Sequence, residues 1–205
     1  MNIIEVLKQK PWEEEQAAID NLDDGTVVVL PRSKFALRLF LGSITVVLSL
    51  FVIAYSDRMF ISDWHPIPEP WLLWVNTAVL ILSSIAIQRG VNAARDAEIA
   101  SVKNNMLAAG VFALLFLLGQ LVVWQQLIGL GYFAAQNPAN AFFYLLTAVH
   151  GVHLVGGLVA WGRVMRRFSG EPEAERLQES MELCAAYWHY LLIVWVVFFG
   201  LLLFT

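Results

Sequence analysis

The sequence predicts an all-α polytopic membrane protein, a bundle of five transmembrane helices with its N-terminus inside and its C-terminus outside. Three observations carry this. Of 205 residues, 59% are hydrophobic and only 15% charged, whereas a water-soluble domain sits near half apolar and a quarter charged. Five apolar runs are each long enough to cross a hydrocarbon core of roughly 30 Å, which takes about 20 helical residues. Lys and Arg fall almost entirely on one side of those runs, and positive residues flanking a span are held inside.

Residues 1–34 read as an acidic cytoplasmic tail carrying Glu5, Glu13, Glu14, Glu15, Asp20, Asp23 and Asp24. The tail lacks the basic-then-apolar leader of a cleaved signal. It has room for one short amphipathic helix before the turn at Asp23, Asp24 and Gly25. Residues 35–205 form the transmembrane domain, with spans at about 35–55, 70–88, 105–128, 141–162 and 183–204. Lys8, Lys10, Arg32, Lys34 and Arg38 flank the start of the first span. Arg89, Arg95 and Lys103 lie between the second and third, and Arg163, Arg166, Arg167 and Arg176 between the fourth and fifth. Only Arg58 falls on the opposite side. The segment 57–69, with Trp64, Trp71 and Trp74 around it, has the character of an interfacial aromatic belt. Between the third and fourth spans Gly129, Gly131, Gln136, Asn137, Pro138 and Asn140 predict a turn.

Composition excludes several classes of chemistry. The single cysteine, Cys184, rules out disulfides, Cys-x-x-Cys redox pairs and thiolate-bridged metal centres. No basic patch marks a nucleic-acid partner. There is no Ser/His/Asp ordering, phosphate loop or pair of carboxylates at membrane depth, so no catalytic residue, metal ligand or cofactor ligand is assigned to this chain.

The polar residues inside the spans remain to be explained, because such groups cost free energy unless they meet partners. They include Asn76 in the second span, Gln120 in the third, His150 and His153 in the fourth, and Glu182, Tyr187, Trp188, His189 and Trp195 in the fifth. His150 and His153 share a helix face, and Gly156 and Gly157 a turn later let another backbone come close. At about 1.5 Å per residue, His153 lies about 18 Å from the outer surface and His189 about 10 Å from the inner one. Across a core of about 30 Å the two come to nearly the same level, which predicts that they meet if the fourth and fifth helices are neighbours. Such a cluster reads either as a haem or metal site or as neutral histidines hydrogen bonding between helices. No carboxylate lies near the pair to orient the rings. Glu182 reads as a carboxylate at the N-terminal dipole of the fifth helix, or as a contact to a lipid headgroup or proton path. Trp188 and Trp195, seven apart, share a packing or lipid-facing side.

The run from Phe142 to His153, with Thr147, His150, Gly151 and His153, followed by Gly156 and Gly157, resembles a motif of the haem-copper oxidase subunit III family (cytochrome c oxidase subunit 3). Glu182, then Tyr187, Trp188, His189 and Trp195, is similar to that family's last helix. Trp74, Asn76, Thr77, Ser83 and Ser84 are similar to its Asn-Thr…Ser-Ser helix, and Gln120 with Trp124 fits the next one. The likeness extends from about residue 35 to 205 and matches a short, five-helix form of a family whose longer members have seven.

The resemblance implies an accessory, cofactor-free subunit of a terminal oxidase in aerobic respiration, a non-catalytic part of an oxidoreductase. It would lie in the bacterial plasma membrane and pack directly on subunit I, with subunit II in the same complex. The haems and copper would belong to those partners. Bound phospholipid, support of sustained turnover and proton uptake, and contact with other respiratory complexes are further implications. Three acidic positions of the family are apolar here, at Ile44, Val123 and Leu192, which argues against proton handling by carboxylates of this chain. It also keeps open a subunit III-like protein associated with nitric oxide reductase. A free-standing haem-binding or transport protein using His150, His153 and His189 is the remaining alternative.

Overall fold

The structure, a computed structural model, describes residues 32–96, 98–167 and 174–204. Five helices are present and no strand occurs among the described residues: α1 (Arg32–Arg58), α2 (Leu72–Arg95), α3 (Ile99–Gly129), α4 (Pro138–Arg167) and α5 (Ala174–Leu203). All five are long and apolar enough to cross a membrane. The backbone separates into two units, Met1–Phe35 and Ala36–Thr205. The amphipathic helix and turn expected before residue 32 lie outside the described residues.

Each helix overruns its apolar run at the end that carries the basic residues. Hydropathy marks the slab of hydrocarbon, whereas backbone hydrogen bonds continue into the polar region wherever good helix formers follow. Thus α2 continues through Arg89 to Arg95 and α3 starts at Ile99, which shrinks the connection expected at 89–104 to 96–98. Pro138 and Asn140, expected in a turn, belong to α4. Asn137 caps that helix by accepting from the Ala139 N–H at 3.0 Å, and Pro138 takes the first helical position, where its missing N–H costs nothing. The end of α3 is closed by Gly131 at φ 91°. The Gly131 N–H donates to Ile128 O and the Tyr132 N–H to Leu127 O, the paired closure that a left-handed residue permits.

Helices α2, α3, α4 and α5 pack in a ring, α2 on α3, α3 on α4, α4 on α5 and α5 on α2. Consecutive members run antiparallel because their connections are short. The main core lies inside this ring, with Ile87, Met106, Phe116, Val123, Leu154, Trp188 and Trp195 fully buried. Helix α1 stands outside the ring. It is held through a second, smaller core of Ile44, Leu48, Tyr55, Leu146 and Phe198. The ends of the helices that carry Arg95, Lys103, Arg163 and Arg166 form a basic end of the molecule.

Candidate functional site

Helix packing in a bilayer cannot draw on the hydrophobic effect between helices, so small residues and hydrogen bonds take over. The ring shows this layer by layer. Near the end away from the basic residues, the Trp124 indole N–H donates to Thr147 Oγ1 at 3.0 Å, and that hydroxyl donates to Phe143 O at 2.7 Å. On the same side, the Trp195 indole donates to Thr77 Oγ1 at 2.9 Å, which donates to Leu73 O at 2.8 Å. Closer to the basic end, the Trp188 indole donates to Ser83 Oγ at 2.8 Å, and Ser83 donates to Ala109 O at 2.7 Å. Each hydroxyl accepts from an indole and passes its own proton to a carbonyl, so that every donor of these three indole–hydroxyl pairs is satisfied in hydrocarbon. Nearest the basic end, the Trp161 indole donates directly to Met106 O at 2.8 Å, its ring lying where a Cβ on Gly110 would collide.

Asn76 and Gln120 form one interhelical pair. Asn76 Nδ2 donates to Gln120 Oε1 at 3.0 Å, both side chains buried. The Asn76 carboxamide occupies the space of the side chain that Gly119 lacks. The glycines of α4 act likewise: at Gly157 an added Cβ would come within 3.1 Å of the Tyr187 ring and 3.2 Å of Trp188. The neighbour admitted there is a pair of aromatic side chains rather than the backbone expected from sequence. Tyr187 also donates its hydroxyl to His153 O at 3.0 Å, which ties α5 to α4.

The three intramembrane histidines do not converge. His150 is 1% exposed and lies between the rings of Phe116 and Trp195, with centroids 5.7 and 5.2 Å away. His153 makes its bond to Val149 O, at 2.8 Å. His189 faces α2, with Ser84 Oγ 2.6 Å from its Nδ1 and Gln88 Oε1 2.9 Å from its Nε2. Gln88 Nε2 donates to Asn92 Oδ1 at 3.1 Å, so Gln88 Oε1 accepts, His189 Nε2 carries the proton, and Ser84 donates to Nδ1. The expected meeting of His153 and His189 therefore does not occur, although α4 and α5 are neighbours. Among the described residues no group of three His, Cys, Asp or Glu side chains is placed to hold a metal ion.

Glu182 has a different setting from the one expected. Helix α5 begins at Ala174, so Glu182 is more than two turns inside it, beyond the reach of the terminal dipole. Arg95 Nη2 donates to its Oε1 at 3.2 Å and Gln178 Nε2 at 3.4 Å, joining α2 to α5 at the basic end. The three positions without carboxylates are packed: Ile44 and Val123 are buried and Leu192 lies against the main core.

A cleft of 530 Å³ separates α1 from α4 and α5. It is lined by Ala36, Leu37 and Phe40 on α1, by Gly156, Ala160 and Arg163 on α4, and by Tyr187 among others on α5. Arg163 is the cation at its mouth. Deeper, α1 is tethered to α5 where the Thr45 and Tyr190 hydroxyls meet at 2.9 Å. Neither the cleft nor the Gly110–Trp161 seat was evident from sequence, since each joins residues far apart in the chain that carry no local signal. The alternation of tryptophans with Ser and Thr on facing helices was the one available hint of the indole–hydroxyl layers.

Comparison with known proteins agrees with this architecture. Residues 26–204 match the family model described as cytochrome c oxidase subunit III. The chain is 31% identical over 160 residues to a probable cytochrome c oxidase subunit 3 of Mycobacterium bovis, covering 76% of this chain and 78% of that one. It is 30% identical over 172 residues to a cytochrome c oxidase subunit 3 of Synechocystis, covering 80% and 72%. A cytochrome c oxidase subunit 3 of Thermostichus vulcanus is 28% identical over 130 residues, covering 62% and 63%. Five membrane-spanning helices, the ordered intramembrane motifs and these matches place the chain in the cytochrome c oxidase subunit III family, as an accessory subunit of a haem-copper oxidase complex.

Proposed function

We propose that this chain is a non-catalytic subunit that holds lipid beside the oxidase's catalytic subunit I and prolongs that subunit's working life. One observation carries the reading: the cleft between α1, α4 and α5 has apolar walls and a single guanidinium, Arg163, at its mouth on the basic end. That is the pattern a phospholipid requires, with acyl chains along the walls and phosphate on the cation. The spans contain no Asp or Glu between residues 35–55, 70–88, 105–128, 141–162 and 183–204, which suits support and shielding of a proton entry rather than proton transfer along this chain. In this reading the basic end faces the cytoplasm of a bacterial plasma membrane, following the positive-inside bias. The haems and copper are in subunits I and II, none is held here, and the acidic tail is the part of the chain that meets other respiratory complexes.

Deleting the subunit and following oxygen consumption over many turnovers tests the role. The expected result is a near-normal initial rate that decays early, with Arg163→Gln giving a partial version of the same decay. An unchanged lifetime in the deletion would overturn the proposal.

A further inference from the structure

One layer of the ring draws on all four of its helices. The His150 ring of α4 lies 5.7 Å from that of Phe116 on α3 and 5.2 Å from that of Trp195 on α5, centroid to centroid. Trp195 in turn bonds Thr77 of α2, and Asn76, beside Thr77, bonds Gln120 of α3. Residues 116, 120 and 124 share one face of α3, and contacts on either side bracket Gln120. Phe116 meets His150, and Trp124 bonds Thr147, three residues before His150. At the helical rise, Gln120 and His150 therefore lie within about 6 Å of one another along the bundle. Both are inside the ring, at 5% and 1% exposure.

This layer is short of partners. Gln120 gives its Oε1 to Asn76, and its Nε2 has no hydrogen-bond partner among the described residues; neither nitrogen of His150 has one. An amide nitrogen only donates, and a neutral imidazole offers one donor and one acceptor. Left bare inside a bundle that lies in lipid, each such group costs free energy. At this burial no lipid headgroup reaches them, so the molecule that relieves them is small, uncharged, and donor and acceptor at once.

We propose that a water molecule is bound inside the ring, accepting from Gln120 Nε2 and donating to the unprotonated nitrogen of His150. Two hydrogen bonds in line, each about 2.9 Å, span the offset between the two side chains, and two polar partners suffice to hold a buried water. The protonated imidazole nitrogen is left with the rings of Phe116 and Trp195, whose faces accept an N–H weakly. The bridge ties α4 to α3, and through Asn76 to α2, at a level where no direct bond does so.

X-ray radiolysis of the intact oxidase complex tests this. Radiolysis splits a bound water into hydroxyl radicals that oxidise the side chains beside it, and mass spectrometry reads the product residue by residue. Trp195 and Trp188 are both fully buried on α5, but Trp188 belongs to a layer whose indole and hydroxyl are paired with protein groups. In the wild type Trp195 is oxidised and Trp188 is spared. After equilibration in heavy-oxygen water and rapid dilution, the heavy label at Trp195 outlasts that at the exposed Trp71. His150→Leu removes the acceptor and abolishes oxidation of Trp195, and His150→Gln, whose carbonyl still accepts, keeps it. Equal protection of Trp195 and Trp188 in the wild type overturns the inference, the result a direct Gln120–His150 bond would give, and this comparison needs no variant to fold. Oxidation of Trp195 that persists in a folded His150→Leu overturns it as well.

Discussion

The most apolar stretch of helix α1 is more apolar than those of α2, α4 or α5, yet only 6% of it is buried, against 44% for that of α2, the least apolar such stretch of the five. In water that order would be reversed. In a bilayer lipid tails satisfy Leu and Val as well as a neighbouring helix does, so apolarity does not select what is buried. Small residues that admit close approach, and polar side chains that need partners, make the selection. Helix α2 brings Asn76, Thr77, Ser83, Ser84 and Gln88 to its neighbours. Helix α1 turns the hydroxyls of Ser43, Ser49 and Ser56 back onto its own carbonyls four residues earlier, which hides them from lipid and forms no bond to another helix.

The largest effect separating these regions is steric. Gly119→Leu drives a side chain into the Asn76 carboxamide inside the ring and should cost about 3 kcal/mol. Gly42→Leu on α1, where nothing lies within 4 Å, should stay within about 0.5 kcal/mol. Reversible unfolding by detergent titration compares them; equal losses would erase the distinction between ring and outlying helix.

A smaller effect is expected where α1 touches the ring. Thr45→Val removes the hydroxyl pair with Tyr190 and should cost about 0.6 kcal/mol, the average for such bonds in membranes. Disulfide trapping between cysteines at Ala36 and Ser180, across the cleft mouth, should slow in this variant while the ring's stability hardly changes. A large loss of ring stability would mean that α1 is integral to it.

The smallest concerns the connection between the two regions. Arg58 and Asp63 form a bidentate pair, at 2.7 and 2.6 Å, in the exposed segment after α1. Hydrogen bonding to Arg58, with its charge, holds the Asp63 carboxyl below its ordinary value. A depressed folded value means that the contribution is present above the ordinary aspartate range and is lost as pH falls through the lowered value. Protease susceptibility of residues 59–66 should therefore be flat from pH 7 to about pH 5 and rise only below about pH 4. Asp63→Asn should show the raised level throughout.

Residue types alone located the spans because a run of about 20 apolar residues has few other uses. They located the helix ends poorly. Pro138 and Asn140 look like turn residues, but Asn137 caps and Pro138 starts α4, and only the chain's path shows which side of the cap is helical. The interior site was legible by content and illegible by pairing. Asn76, Gln120, His150, Glu182, Trp188, His189 and Trp195 stand out as polar or aromatic groups at membrane depth. Nothing local says that Gln120 meets Asn76 44 residues away, or that His189 meets Ser84 and Gln88 rather than His153.

What the sequence by itself determined is the number of crossings, their order and the family, because these follow from local hydropathy and from motifs read in line. The tertiary structure decided which helices close the ring and which stands outside it. It also decided that the three histidines part company. The reason is that, once every helix lies in lipid, apolar burial no longer distinguishes one arrangement from another. The choice falls to shape at a few glycines and to hydrogen bonds between residues far apart in the chain.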